Sequence, residues 1–154
     1  MSGRAHIAEH PRFQRLADYL RSKAPPGKLP GRQHVDPVEI AELLPWIMLI
    51  DVLPQPDAEP RYRIRLVGTE VVKTQGSDGT GKYVEEVLDQ AEAAAIMKGY
   101  GDIVGTHEPG YRRGIVATVG REHILYRRIA FPLARDGEHV DMLMFVFAPD
   151  QKDT

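Results

Sequence analysis

Two segments of this chain, residues 47–52 and 140–147, are apolar at odd and even positions alike, with Asp51 the one polar break in the first and Asp141 in the second. A strand with apolar groups on both sides has to be covered on both sides, so these two segments are expected side by side at the centre of a sheet. The other strand-like runs do not share this property. Residues 61–67 alternate Arg, Tyr, Arg, Ile, Arg, Leu, the period of a half-buried strand. Residues 111–119 are only partly apolar and begin Tyr-Arg-Arg, and residues 123–133 follow them. A turn around Gly120 joins those two, and Asp136-Gly137 between apolar runs predicts a hairpin into the last strand. Placing the second strand on one edge and a three-strand meander on the other gives an antiparallel sheet of order 2-1-5-4-3 in an α+β domain.

Helical periodicity fills the remainder. Phe13, Leu16, Ala17 and Leu20 fall at i, i+3, i+4 and i+7, so residues 11–23 predict an amphipathic helix with Pro11 in its first turn, stopped by Ala24-Pro25-Pro26-Gly27. Asp36-Pro37 with Glu39 in capping-box spacing opens a short helix carrying Ile40, Leu43 and Leu44, which ends before Pro45. Residues 69–75 suit two helical turns closed by Gly76, and Asp89 with Glu92 caps a helix through Ala93, Ile96, Met97 and Tyr100. The mid-chain helices are expected on one face of the sheet. The N-terminal helix, or a partner subunit, covers the other.

Composition excludes whole classes of chemistry. The chain has 154 residues, of which 42% are hydrophobic and 27% charged, which suits one domain. Twenty basic against twenty-two acidic residues leave a net charge of -2, so the global basic footprint of a nucleic-acid binder is missing. Nowhere do about 18 apolar residues follow one another, and a cytoplasmic protein with no membrane partner is expected. Cysteine is absent, which removes disulfides, thiolate metal sites, cysteine nucleophiles and thiol-linked chromophores together. With no serine-centred nucleophile motif and no paired carboxylates at a predictable spacing either, no enzymatic activity is expected.

Two motif matches carry no chemistry on inspection. His6-Ile7-Ala8-Glu9-His10 fits the inverted zinc-protease pattern, but Pro11 opposes helical geometry at His10, and the segment is expected to be a solvated tail. Gly76 to Lys82 has phosphate-loop spacing, yet Tyr83 stands where a magnesium-binding hydroxyl is needed, so a turn-rich connector is expected.

The run Arg65-Leu66-Val67-Gly68-Thr69, then Gly76, then Asp78 and Thr80-Gly81-Lys82, resembles the stretch of PAS domains from the second strand through the first short helices. The flanking Leu29-Pro30-Gly31-Arg32, Asp36-Pro37, Leu44-Pro45 and Pro132-Leu133 are similar to a divergent bacterial branch in which a PAS domain stands nearly alone. The likeness covers residues 28–148, with residues 1–27 as an N-terminal helix and linker and residues 149–154 as a tail. One departure is Gly79, where that branch carries a leucine that packs at the pocket rim.

The resemblance implies a sensory module that holds a small, non-covalent ligand between the sheet and the mid-chain helices. It implies signalling through a homodimer or a separate signalling partner, since no output segment is seen. The alternative is a ligand-free protein–protein interaction module whose core fills its own pocket. Groups expected to wall the pocket are Tyr62, Arg65, Tyr100, Tyr111, Tyr126 and Arg128, because Arg offers a fork for an anion and Tyr a ring with a hydroxyl. By strand parity Tyr62 and Arg65 face opposite sides, so at most one of them lines the cavity. Phe13, Leu16 and Leu20 are the expected dimer contact. Haem-binding relatives generally take their axial histidine from the region corresponding to residues 90–104; this chain has none there, which argues against haem. The missing cysteine argues against covalent flavin; the cofactor is otherwise undetermined.

Overall fold

The computed structural model describes residues 2–115 and 124–150. Among them, β1 (Ile47–Gln55), β2 (Ala58–Val67), β3 (Gly110–Ile115), β4 (Leu125–Leu133) and β5 (Met142–Pro149) form one sheet of order β2-β1-β5-β4-β3 with antiparallel neighbours. The two doubly apolar segments are adjacent at its centre, with Met48 opposite Phe145 and Ile50 opposite Leu143. The turn expected around Gly120 lies outside the described residues. The last strand starts at Met142 and not near His139, because the Asp136 carboxylate accepts the backbone N–H groups of Glu138 and His139 at 2.8 and 2.7 Å and holds that stretch in the turn.

Helix α1 (Pro11–Lys23) lies on the outer face of the sheet. Phe13, Leu16 and Leu20, predicted as a contact for a second chain, are instead 0, 0 and 4% exposed within one cluster that holds Ile129, Met144 and Val146 of the sheet. In this chain the apolar stripe of α1 is packed against its own sheet. The other face carries α2 (Thr69–Gln75), α3 (Val84–Val87) and α4 (Gln90–Thr106). Gly76 closes α2 in the left-handed region at φ +87°, a conformation that favours glycine. The short helix expected after Asp36 is a 3-10 turn over Pro37–Ile40, followed by a second one over Leu44–Trp46. No helix among the described residues is long and apolar enough to cross a membrane.

The N-terminal segment is not a solvated tail. Gly3–Glu9 is a 3-10 helix held by the Gly3 N–H donating to the Pro109 carbonyl at 2.7 Å and by the His6 ring stacked on Tyr111 at 3.8 Å. Its two histidines are engaged separately: His6 pairs with Glu9, while His10 Nδ1 accepts the Arg12 backbone N–H at 3.0 Å as the N-cap of α1. Burial, and then the charges of Arg12 and Arg127, push the His10 ring below the usual histidine range. The folded chain thus prefers neutral His10. The cap is intact above the ordinary histidine value of about 6.5 and is lost as the pH falls through the depressed one. Melting curves from about pH 7.5 to pH 5 should show His10→Asn, which keeps a capping acceptor, losing less stability on acidification than the parent. Parallel pH profiles would remove His10 as the cause.

Candidate functional site

Strand parity decides which side chains reach the inner face. On β1 these are Met48, Ile50 and Val52; on β5 Leu143, Phe145 and Phe147; on β4 Tyr126, Arg128 and Ala130. Helix α4 lies over them with Ile96, Tyr100 and Ile103 turned inward at i, i+4 and i+7, its start fixed by the Asp89 carboxylate accepting the Ala91 N–H at 3.0 Å. The centre is aromatic. Tyr100 meets Tyr62 edge-on at 5.2 Å between ring centroids and Phe145 edge-on at 5.4 Å. Burial pushes the Tyr100 phenol up to about 12.

Arg128 enters this interior from β4. It is 6% exposed, and its guanidinium carbon stands 5.6 Å from the Tyr100 ring centroid and 5.0 Å from that of Phe145. Among the described residues it donates no hydrogen bond and makes no ion pair, although a guanidinium carries five N–H donors. Directly across the ladder from it is Arg112 of β3. The Arg112 Nε is also buried without a hydrogen-bond partner, and its Nη2 lies 3.6 Å from Glu92 in the first turn of α4. Burial first, with the facing Arg112 charge in addition, pulls Arg128 below the usual guanidinium range. Like charges directly opposite on adjacent strands destabilise a sheet, and here one of the pair is only 6% exposed.

The open space on this side is modest. A cavity of ≈ 90 Å³ is lined by Met48, Ile64, Gly79, Glu92, Ile96 and Tyr126 among others. Gly79 keeps it open, since a Cβ there would stand 3.0 Å from Ile64 Cδ1. A groove of ≈ 540 Å³ runs along the opposite flank of α4 between Tyr62, Met97 and Gly101. The outer face holds an apolar cleft of ≈ 430 Å³ beside Ile40, Leu44, Leu49 and Leu66, which nothing in the sequence pattern had indicated.

Of the six residues expected to wall the pocket, Tyr62, Tyr100, Tyr126 and Arg128 come together on the inner side. The other two lie on the outer side. Arg65 sits on the outer side, its Nε 3.0 Å from both carboxylate oxygens of buried Asp51, where Arg63 also approaches to 3.6 Å. Tyr111 faces outward, under His6 and hydrogen-bonded to Glu9 at 3.2 Å. Its neighbour Arg112 has the inward parity, so the Tyr-Arg-Arg start of β3 contained the signal one position further on. The phosphate-loop-like segment spends its backbone on the β2 edge, with the Ile64 N–H donating to Lys82 at 2.8 Å and Tyr83 bridging to Arg63.

A protein-family model described as a PAS domain matches residues 8–146. Its match begins ahead of the residue 28 boundary and takes in α1, in keeping with the burial of that helix against the sheet. Among solved structures, the PAS domain of BvgS from Bordetella pertussis is similar at a TM-score of 0.55 and 16% identity, covering 77% of this chain and 90% of that one. A sensory box sensor histidine kinase from Vibrio cholerae is similar at a TM-score of 0.47 and 14% identity, covering 74% and 88%. The BvgS likeness is one of fold. No curated protein matches the chain.

Proposed function

The chain belongs to the PAS domain family, and from that premise we propose that it is a cytoplasmic sensory module, not an enzyme, that holds a small non-covalent ligand between the inner sheet face and α4. In this reading residues 28–148 hold the ligand, preceded by the helix and linker of residues 1–27 and followed by the tail from residue 149. Occupancy is passed on through the arrangement of a homodimer or through a separate partner. The observation that carries the reading is the polar set in the interior: Tyr62, Tyr100, Tyr126 and Arg128 occupy positions that a purely structural core fills with aliphatic groups. Buried polar groups are retained at a stability cost, and a binding site is a reason to keep them.

A second reading has its own support. The inner cavity of ≈ 90 Å³ is small for a pocket, and the packed rings of Tyr100, Phe145 and Phe147 favour a self-filled interaction module. A thermal-shift screen of metabolites separates the two. A ligand of the folded state stabilises by RT ln(1 + [L]/Kd), about 2.7 kcal/mol at a hundredfold excess over Kd, so at least one compound should give a saturable rise in melting temperature. An absorbance spectrum of freshly purified protein reports any haem or flavin carried along. If no compound shifts the melt and the spectrum is featureless, the self-filled module is the correct reading.

A further inference from the structure

We propose that the inner site recognises an organic monocarboxylate, with Arg128 and Arg112 as the anion-binding pair and Glu92 as an internal competitor for it. This rests on the reading of the inner face as a ligand site. Arg128 is the anomaly that has to be explained: a guanidinium 6% exposed, facing two aromatic rings, and given neither a carboxylate nor a hydrogen-bond acceptor by the described chain. Buried arginines are as a rule paired, because a planar fork of N–H donors left without acceptors forfeits its hydration for nothing. Cation–π contact with Tyr100 and Phe145 offsets part of that loss but supplies no acceptor.

Charge counting sets the class. Arg112 and Arg128 stand directly opposite each other on neighbouring strands, and the one carboxylate that pairs with either among the described residues, Glu92, lies 3.6 Å from Arg112. One positive charge is left over, so a monoanion closes the balance and a dianion overshoots it. A carboxylate matches the fork geometry of a guanidinium with two parallel N–H···O bonds. The remainder of the ligand has to be short, because the cavity of ≈ 90 Å³ that Glu92 lines together with Met48, Ile96 and Tyr126 is small. Glu92 gives the site a way to report. Its carboxylate is in the first turn of α4, so an incoming carboxylate that takes over Arg112 frees Glu92 and alters how the start of the helix is tied to β3.

The test is a set of melting curves on the full chain with sodium acetate, propionate and butyrate, against propionamide and sodium chloride at equal ionic strength, for the parent, Arg128→Met and Glu92→Gln. Expected is a saturable rise with at least one of the three acids and none with the amide. Arg128→Met should abolish the rise while melting several degrees above the unliganded parent, because an apolar chain of similar length replaces an unpaired buried charge. Glu92→Gln should lower the half-saturating acid concentration by about tenfold, the effect of removing one competing charge-assisted contact. The proposal is overturned if Arg128→Met keeps the acid response, if it melts below the unliganded parent, or if propionamide acts as well as propionate. A neutral metabolite that shifts the melt where the acids do not would leave the ligand-binding reading standing and remove the carboxylate. Silence from acids and metabolites alike would remove both.

Discussion

Gly68→Ala should lower the melting temperature by about 10 °C, a loss of about 3 kcal/mol, measured by calorimetry or circular dichroism. Gly68 has φ -65° and ψ 156°, a conformation open to any residue, so the requirement is one of space and not of backbone freedom. A Cβ at this position would stand 2.4 Å from the Leu44 carbonyl oxygen and 2.5 Å from that of Pro45. Both are main-chain atoms that no rotamer change can move. The Gly68 N–H donates to the Ile47 carbonyl at 2.7 Å, so the exit of β2 is clamped to the entry of β1 where Met48 pairs with Val67. Relief of the clash must part that pairing or displace α2. Gly99→Ala is the internal contrast. A Cβ there meets nothing within 4 Å, and in mid-helix alanine is favoured by about 0.8–1.0 kcal/mol, so the sign reverses. A Gly68→Ala chain that melts with the parent would show that the 44–47 segment yields easily, and the close approach would then explain nothing.

The sheet order was legible because it depends on one property visible in one dimension, namely whether a strand is apolar on one parity or both. Ile47 to Val52 and the last strand could have no other place than the centre, and the charged alternation of the second strand put it at an edge. Helix α1 was legible for the same reason, with its ends set by Pro11 and by the Pro25-Pro26 stop. What periodicity does not encode is the partner of an apolar stripe. The spacing of Phe13, Leu16 and Leu20 is the same whether the stripe meets a second chain or its own sheet, and the structure assigns it to the sheet. Side-chain hydrogen bonds were also invisible: Asp136 delays the last strand by capturing two N–H groups, which alternation cannot report.

The inner site was half legible. Parity separated Tyr62 from Arg65 correctly, and the doublet Tyr126 and Arg128 shares the inner face as expected. Parity could not be applied to the start of β3, since the frame of that strand depends on which of its residues pairs with β4. Once Gly110 is set opposite Ala130, Arg112 turns inward and Tyr111 outward. Arg63 and Arg65, two positions apart, share the outer side with Asp51 as alternation predicts, but the bulge that leaves Arg65 as an extra residue between the Leu49–Leu66 and Ile50–Ile64 pairs and turns Leu66 outward has no signature in that alternation.

Phe13→Ala should cost about 3–5 kcal/mol, as expected for a fully buried aromatic ring whose cavity cannot close by local adjustment. Phe13 is 0% exposed and belongs to the same cluster as Leu16 and the outer residues Ile129, Met144 and Val146, so its removal loosens α1 from the β4–β5 part of the sheet face. Arg21→Ala, on the exposed side of the same helix, should change stability by less than about 0.5 kcal/mol. The measurement that matters is the dependence on protein concentration. An intramolecular contact gives the same loss at every concentration, whereas a face shared between two chains gives a melting temperature that climbs with concentration in the parent and a penalty that shrinks on dilution. A concentration-independent loss fixes α1 as part of the domain core and sends any homodimer to another surface. A loss that fades on dilution would mean that α1 exchanges its own sheet for that of a second copy, and the packing described for Phe13, Leu16 and Leu20 would then belong to the dimer.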